Sequence, residues 1–538
     1  FLNQETYDEF RLSKEEKEYR KELEKLAKKD EKSDDKSDKK EDKKGDKDSK
    51  KGVKDIVVEI DGLEDRVVRL TPTSSNMASA MITNDGQTLY YIASYQAGYE
   101  LWKMSENRET KLISKNSGVG SMEMSKDGKS IYILGSSPKK LTIAGDKLTN
   151  ISISADMQLD LAAEREYMFN VVCREESRRF YTEDMHGVDW PALTKNYRQF
   201  LPHINNNYDF ANMLSELLGE LNVSHTGGRY SPRLPGVVTA DLGLFFDWEY
   251  QGSGLRVEEV IEGSPLDIKD SKVEKGVIIE KIDGVEITPD MDYTTLINDK
   301  ANVKTLLSLY NPFNGERWEE VTKPVSKSVI NNLLYERWIK NRAADVERLS
   351  NGRLGYVHIK SMNDGSFRDV YSDILGKYND KEGIVIDTRF NGGGRLHEDV
   401  EILFSGKKYL TQVIRGRESC DMPSRRYNKP SIMIQCEANY SNAHGTPWVY
   451  REVGLGILVG MPVPGTMTSV SWTTLQDPTL VFGIPIVGYR TNRGNYLENS
   501  QLEPDFKVAN SPETIIYGVD SQLKVAVEEL LKQIDSQK

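Results

Sequence analysis

The sequence has few cysteines, no excess of positive charge and no apolar run of membrane-spanning length. Its three cysteines, Cys173, Cys420 and Cys436, cannot form a disulfide framework and lack the paired spacing of a zinc site. The net charge of −12 argues against nucleic-acid binding, which depends on clustered cations. No run approaches the roughly 18 apolar residues of a transmembrane helix. We therefore predict no metal or other cofactor, no nucleic-acid partner and no membrane span.

The first 52 residues contain little that could form a core. Ser13-Lys-Glu-Glu16 is a capping-box pattern that opens a charged helix over residues 13–27. From Lys28 to Gly52 there is no apolar residue, so a disordered insertion is expected. The chain begins Phe1-Leu-Asn, without Met or a signal sequence, and we interpret it as part of a longer protein. Its 538 residues predict three or four domains.

Residues 53–155 show short β runs with an internal repeat. Thr83-Asn-Asp-Gly is echoed by Ser125-Lys-Asp-Gly, each a tight turn into an alternating strand, and Asp85 and Asp127 are 42 positions apart. That spacing is the period of a β-propeller blade. About two blades are present where a propeller needs at least four, so the segment is interpreted as the end of a propeller.

Residues 156–234 are predicted to form a helical domain. Leu214, Leu217, Leu218 and Leu221 follow a helical spacing and give one buried stripe. The segment then runs directly into Ser224-His-Thr-Gly-Gly228.

Residues 235–327 resemble a PDZ domain. The resemblance depends on Leu242-Gly-Leu-Phe-Phe246, whose Gly243 loop would hold a peptide carboxylate, and on Lys275-Gly-Val-Ile-Ile-Glu-Lys-Ile-Asp-Gly284. The alternative is a β domain that only spaces its neighbours.

Residues 328–538 alternate helical stretches with short apolar strands at 383–386, 431–434 and 456–460, which predicts a largely parallel, covered sheet. Ser441 follows the second strand and precedes a helical pattern, the position where α/β enzymes present a nucleophile; a Ser/Asn turn without a catalytic role is the alternative for this segment. Asn391-Gly-Gly-Gly394 follows the first strand, and its N–H groups could converge on an anion. A flexible loop or a phosphate cradle is the alternative, although the Lys-Ser/Thr of a P-loop is missing.

Taken together, these blocks resemble the C-terminal portion of the tricorn protease family, within the S41 serine peptidases, and most closely its bacterial homologues. The motifs that carry the resemblance are Ser-His-Thr-Gly-Gly-Arg-Tyr (224–230), Asn-Gly-Gly-Gly (391–394), Asn-Tyr-Ser-Asn-Ala-His (439–444) and Leu-Glu-Asn-Ser-Gln-Leu-Glu-Pro-Asp (497–505). The implied fold is multidomain α+β: the end of a β-propeller, a helical domain carrying the base, a PDZ-like β domain, and an α/β S41-type, crotonase/ClpP-like catalytic domain.

The resemblance also implies roles for individual residues. Ser441 would be the nucleophile, His225 the general base, and Ser224 and Glu498 the groups that orient and polarise the histidine. The oxyanion hole would be formed by backbone N–H groups of the Gly393–Gly394 region and of Asn442. The resemblance does not specify which of the two glycines donates. The family commonly has aspartate where this chain has Asn442, which leaves the role of that side chain open.

The base is expected to be a histidine rather than a lysine. Tail-processing S41 peptidases use a lysine from a segment that corresponds here to 460–467, where Thr466 takes the lysine's place. We therefore expect activity to rise through an apparent pKa of roughly 6–7, near that of free histidine. Structural roles are predicted for the other five histidines: His186, His203, His358, His397 and His444.

The sequence thus predicts a serine endopeptidase or oligopeptidase that acts on peptides or unfolded polypeptides. The alternatives are a catalytically silent scaffold that binds peptides through its PDZ and propeller parts, and a small-ligand carrier on an S41-type fold. The resemblance further implies a homo-oligomer, with a hexamer as the family form, and a location in the periplasm or cell envelope, with the cytoplasm as the alternative.

Overall fold

The computed structural model describes residues 1–34, 56–95, 98–106, 108–115, 120–232 and 236–537, which divide into two compact units, 1–158 and 159–538. The first unit opens with helices α1 (Gln4–Arg11) and α2 (Lys14–Asp34). The predicted capping box is confirmed, because Ser13 Oγ accepts from the Glu16 N–H and Glu16 Oε2 accepts from the Ser13 N–H. Helix α2 continues past the predicted end at residue 27, and residues 35–52 of the predicted insertion lie outside the described residues.

Two four-stranded antiparallel sheets make up the rest of the first unit, one for each predicted repeat. Their strands are β1 (Asn76–Ile82), β2 (Thr88–Ser94), β3 (Tyr99–Ser105), β4 (Thr110–Ser114), β5 (Gly120–Met124), β6 (Ser130–Gly135), β7 (Lys139–Thr142) and β8 (Lys147–Asn150). The two Asp-Gly turns are built alike: Asp85 Oδ1 accepts from the Thr83 hydroxyl at 2.6 Å, and Asp127 Oδ1 accepts from the Ser125 hydroxyl at 2.7 Å. Residues of both sheets share one apolar core.

The second unit begins with the three helices α3 (Leu161–Arg179), α4 (Trp190–Arg198) and α5 (Asn207–Gly219), followed by strand β9 (Gly227–Tyr230). The predicted stripe Leu214, Leu217, Leu218 and Leu221 is fully buried. The helical segment, whose predicted boundary is residue 234, packs against part of the last third of the chain. Strand β9 pairs with a strand that begins at Leu480, and Phe482 and Ile484 of that strand pack in the helical core.

Residues 236–326 form a domain that we call the middle β domain. Its strands are β10 (Ala240–Asp241), β11 (Leu244–Phe246), β12 (Leu255–Val260), β13 (Ile278–Ile282), β14 (Val285–Glu286), β15 (Thr305–Tyr310), β16 (Arg317–Thr322) and β17 (Val325–Ser326). The main sheet has the order β11-β12-β13-β15-β16, with β14 on β13, and β10 pairs with β17. Strand β11 therefore lies at the edge of its sheet.

The rest of the second unit is an α/β domain. Its helices are α6 (Lys327–Leu349), α7 (Asp364–Ser372), α8 (His397–Phe404), α9 (Asn442–Glu452), α10 (Pro512–Ile516) and α11 (Ser521–Ser536). Its strands are β18 (Leu354–His358), β19 (Gly383–Asp387), β20 (Leu410–Ile414), β21 (Arg417–Met422), β22 (Ser431–Gln435), β23 (Ile457–Gly460), β24 (Thr468–Thr474), β25 (Leu480–Gly488) and β26 (Phe506–Lys507). Strands β24 and β25 form the three-stranded sheet with β9, and β20 pairs with β21.

The central sheet of this domain has the order β18-β19-β22-β23-β26, with every pair parallel, as the uninterrupted apolar runs predict. Residues of α7, α8 and α9 cover one face and residues of α6 and α11 cover the other. Because parallel strands end at one edge, the loops that follow β19 and β22 meet there. None of the described helices is long and apolar enough to span a membrane.

Candidate active site

Ser441 occupies a sharp turn between β22 and α9. Its backbone has φ 59° and ψ −126°, a region that residues other than glycine rarely adopt. It is the N-cap residue of α9, and its side chain makes no capping hydrogen bond. A serine held in strained geometry between a buried strand and a helix is the arrangement that exposes a nucleophilic hydroxyl.

Hydrogen bonds on either side hold this turn. The Ser441 N–H donates to Thr466 Oγ1 at 3.2 Å, and the Tyr440 N–H donates to the Asn391 carbonyl at 3.0 Å. Thr466, the residue at the lysine position, thus contacts the nucleophile's backbone. Because the Ser441 N–H donates to Thr466, it is not available to a substrate oxygen.

His225 is brought to this turn by Tyr440. The His225 N–H donates to the Tyr440 hydroxyl at 2.8 Å, and the two rings lie 4.6 Å apart. His225 itself has a positive φ of 63°. Among the hydrogen bonds of the described residues, none joins the Ser441 hydroxyl to the His225 ring. Catalytic hydrogen bonds are often long in a ligand-free site and tighten when substrate binds.

The tautomer of His225 follows from the contacts of Ser224. The Ser224 hydroxyl donates to Glu498 Oε2 at 3.0 Å, and its Oγ lies 2.8 Å from His225 Nδ1. A hydroxyl has one proton to donate, so the contact between Ser224 Oγ and His225 is a hydrogen bond in the tautomer that carries the proton on Nδ1. The Nε2 atom is then unprotonated and can act as a base. Glu498 is 6% exposed, and it also accepts the Ser224 N–H at 2.5 Å.

Burial changes the acidity of both ends of this chain. It raises the pKa of Glu498, against the effect of the two hydrogen bonds from Ser224. Burial, and after it the nearby Arg229 cation, lowers the pKa of His225 to about 4. This pKa lies below the value of free histidine on which the expected activity profile was based, because the sequence does not show how much water the fold removes from the imidazole.

Thr468 also lies at this histidine, although nothing in the sequence had singled it out. It is 2% exposed, and its Oγ1 lies 3.2 Å from His225 Nδ1 and 3.1 Å from Ser224 Oγ. Tyr440 was predicted to belong to the serine motif but was given no role, and only its position next to Ser441 could have indicated one. Nothing in the local sequence distinguishes Thr468 from other threonines in β strands.

The glycine loop lies against the nucleophile. A Cβ atom on Gly393 would lie 2.6 Å from Ser441 Cβ, and one on Gly394 would lie 2.1 Å from the Met362 carbonyl oxygen. Both glycines have positive φ, 98° and 138°. No side chain fits at either position without displacing its neighbours.

The backbone donors of this loop are not equivalent. The Gly393 N–H donates to Asn391 Oδ1 at 2.8 Å. Within the described residues, the N–H groups of Gly394 and Asn442 have no hydrogen-bond acceptor. Of the three predicted donors, those two are free to bind an oxyanion.

A buried ionic network fixes the start of this loop. Arg389 is 2% exposed, and its guanidinium contacts the carboxylates of Asp387 at 2.6 Å and Asp520 at 2.9 Å. Burial raises the pKa of Asp387, but the Arg389 cation outweighs it and holds that pKa below its usual value. The network joins the end of β19 to the start of α11 and so holds the residues from which the glycine loop begins.

The other histidines make contacts of a structural kind. His444 is fully buried in α9, burial lowers its pKa to about 4, and neither ring nitrogen has a partner among the described residues. His186 contacts Tyr181 and the Leu221 carbonyl, and His358 contacts Tyr335. His397 contacts the side chain of Asn442, and His203 lies in a short helical turn. The described residues hold no cluster of three or more metal-binding side chains.

The loop of the middle β domain is already occupied by an acidic side chain. The Gly243 N–H donates to Asp241 Oδ1 at 2.8 Å, and Lys327 Nζ lies 3.0 Å from Asp241 Oδ2. A Cβ atom on Gly243 would lie 2.3 Å from Ser264 Cβ, so a substitution there would disturb the fold. Beside the loop, a groove of about 500 Å³ runs between β11, residues 293–297 and the start of α6.

Two family models match the chain. Residues 353–508 match peptidase family S41, and residues 161–219 match the tricorn protease C1 domain. The first match contains Ser441, Glu498 and the glycine loop, while Ser224 and His225 lie just after the second.

Comparison with individual proteins gives the same relatives. The chain is 26% identical to tricorn protease homolog 1 of Streptomyces coelicolor, covering 75% of this chain and 40% of that protein. It is 23% identical to a putative tricorn-like protease C-terminal subunit of Sulfurisphaera tokodaii, covering 89% and 58%. The chain thus spans about half the length of these relatives.

A solved structure shows the fold. A crystal structure of the tricorn protease superposes with a TM-score of 0.70 at 18% identity, covering 84% of this chain and 46% of that one. The multidomain mixed α/β architecture is therefore shared. Parts of the chain thus match the models of peptidase family S41 and of the tricorn protease C1 domain, and the chain is similar in sequence and fold to tricorn proteases.

Proposed function

We propose that this protein is a serine peptidase that hydrolyses peptides or unfolded polypeptides, with Ser441 as nucleophile and His225 as general base. One observation carries the proposal: the Ser224 hydroxyl donates to Glu498, which favours the His225 tautomer that donates from Nδ1 and has Nε2 as the base. The strained Ser441 and the S41 match support it.

The reaction follows from these positions. The Ser441 hydroxyl attacks the substrate carbonyl carbon while His225 Nε2 takes its proton. The oxygen of the tetrahedral intermediate is stabilised by the N–H groups of Gly394 and Asn442. When the C–N bond breaks, His225 returns the proton to the leaving amine. A water molecule then hydrolyses the ester on Ser441, again losing its proton to His225.

Glu498 acts on this cycle through Ser224. During each proton transfer His225 becomes a cation, although burial opposes that charge. The carboxylate, held at the Ser224 hydroxyl, places a negative charge on the Nδ1 side of the ring. It thereby stabilises the imidazolium and fixes the orientation of the base.

The remaining parts of the proposal concern domains and assembly. We propose that the two sheets of the first unit are β-propeller blades, supported by their matching Asp-Gly turns, and that the middle β domain is PDZ-like. The α/β domain is proposed to have a crotonase/ClpP-like fold. A homo-oligomer, with a hexamer as the form to test, and a location in the cell envelope are proposed from the family resemblance.

Fluorophosphonate labelling of the chain, followed by peptide mapping, tests the function. The label is expected on Ser441, with loss of peptidase activity in proportion to labelling. His225→Ala should slow single-turnover acylation about a thousand-fold or more, and Thr466→Ala far less. A labelled serine other than Ser441, or unchanged acylation in His225→Ala, contradicts the assignment. A folded chain that neither labels nor cleaves peptides would instead be a catalytically silent scaffold.

A further inference from the structure

The side chain of Asn442, next to the nucleophile, is buried at 4% exposure and points to the start of α8. Its Oδ1 accepts the N–H groups of Leu396 at 2.8 Å and His397 at 3.0 Å. Helix α8 has no side-chain cap from its own N-cap residue, Leu396. A side chain from another segment therefore satisfies the unpaired donors of its first turn.

These two donors also fix which way the amide faces. Both require an oxygen acceptor, so the NH₂ group of Asn442 must face His397, whose Nδ1 lies 2.7 Å from Nδ2. His397 Nδ1 is then the acceptor, and the ring carries its proton on Nε2. All three contacts of the Asn442 amide are with residues 396 and 397.

Because α8 lies close to the glycine loop in sequence, the contacts of Asn442 with α8 also affect the oxyanion donors. Helix α8 follows the glycine loop at once, with Arg395 alone between Gly394 and Leu396. One free donor, the N–H of Asn442, belongs to the tethering residue itself. The other, the N–H of Gly394, belongs to the segment that the tether holds.

We propose that Asn442 is a positioning residue whose side chain fixes the two oxyanion donors relative to each other. The inference depends on the proposed peptidase function. The geometry assigns the side chain a task that aspartate can share, because a carboxylate oxygen accepts the same two N–H groups. The difference lies at His397: an aspartate presents it with an acceptor where asparagine presents a donor.

The full chain with Asn442→Leu tests this, because leucine has a similar size and no acceptor. We expect kcat to fall ten-fold to several hundred-fold with KM changed less than three-fold, since the donors act on the transition state. Affinity for a peptide boronic acid should fall in parallel. Asn442→Asp, which keeps the acceptor, should retain at least a third of kcat.

Asn206→Leu is the control, because Asn206 also caps a helix through its Oδ1, which accepts the Asp209 N–H at the start of α5. It should lower thermal stability without lowering kcat. If Asn442→Leu does not fold, Asn442→Ala replaces it, because alanine is smaller than asparagine and cannot overpack the site. Its kcat and KM and its affinity for the peptide boronic acid are then measured.

Two failures remain distinguishable. A wild-type chain without Ser441-dependent cleavage contradicts the proposed function. A wild-type chain that cleaves through Ser441, while the folded Leu or Ala variant keeps kcat within three-fold or loses only KM, contradicts the positioning role alone. Loss of kcat in Asn442→Asp equal to that in Asn442→Leu also overturns it, because the acceptor would then not be the group that matters.

Discussion

The backbone N–H of His225 and the hydroxyl of Tyr440 form a hydrogen bond of 2.8 Å across 215 positions of sequence. It joins the end of the helical segment to the turn that carries Ser441. The contact therefore sets the distance between proposed base and nucleophile through one side chain.

Tyr440→Phe removes this hydrogen bond and keeps the ring contact of 4.6 Å. We expect kcat/KM to fall about three- to ten-fold, in line with the loss of roughly 1 kcal/mol for one neutral hydrogen bond. Tyr409→Phe, at a tyrosine that is 63% exposed in the same domain, is the control and should have no effect. Equal activity of the two variants would show that the hydroxyl does not position His225.

The strain at Ser441 is measurable separately from its chemistry. Ser441→Ala should abolish cleavage and leave the fold intact, because the side chain makes no capping hydrogen bond. Ser441→Gly should also be inactive, yet more stable than Ser441→Ala by about 1 kcal/mol or more, since only glycine adopts this backbone without strain. Thermal melts of the two variants decide. A less stable glycine variant would argue that the turn is unstrained.

The pH dependence of kcat/KM reports the base of the free enzyme. The pKa of His225 is lowered to about 4, so activity should rise with pH through about 4 and be level by pH 6. Arg229→Gln removes the cation that helps to lower this pKa, so its acid limb should shift upward. Circular dichroism at each pH separates titration from unfolding. A midpoint near 6.5 that Arg229→Gln does not move would show that the imidazole is hydrated.

Local sequence predicted the parts of the site that short segments build. Strands β19 and β22 end within one residue of the predicted positions, and the glycine loop and Ser441 follow them as expected. Apolar runs and glycine clusters act over a few residues, so their signal is visible in the chain.

The rest depends on contacts between distant segments. Strands β9 and β25 pair at Gly227 and Gly483, which are 256 positions apart, and no pattern in either strand specifies its partner. The same holds for Thr468 at His225 and for Asp241 at Gly243. Tertiary packing selects these pairs, and it also sets the burial that lowers the pKa of His225.

Glu176 in α3 is fully buried, and neither carboxylate oxygen has a partner among the described residues. Burial raises its pKa to about 8, although the Arg179 cation opposes the shift. The folded protein therefore keeps a proton that the unfolded chain loses above pH 4.5. This contribution to stability is complete below pH 4.5 and is lost as pH rises through 8.

Glu176→Gln should remove that dependence, because glutamine stays neutral at the same size. Its stability relative to wild type should grow by on the order of 3 kcal/mol between pH 5 and pH 8.5. Glu166→Gln, at an exposed position of the same helix, is the control and should show no such trend. If the free energies of unfolding of wild type and Glu176→Gln, measured in urea, change with pH in parallel, Glu176 is ionised in the folded protein.

The groove of the middle β domain lies beside a loop that already holds a carboxylate. Asp241 accepts the Gly243 N–H and pairs with Lys327, so a second carboxylate at this loop meets a negative charge and an occupied donor. Peptides with a free C-terminus should therefore bind no better than their amides. Asp241→Ala frees the donor and Lys327, and it should lower KM for the free acids at least three-fold relative to the amides. Glu262→Ala removes the same charge from an exposed ion pair with Lys340 and serves as the control. A wild-type preference for free acids, lost in Asp241→Ala, would show instead that Asp241 organises the loop to receive a terminal carboxylate.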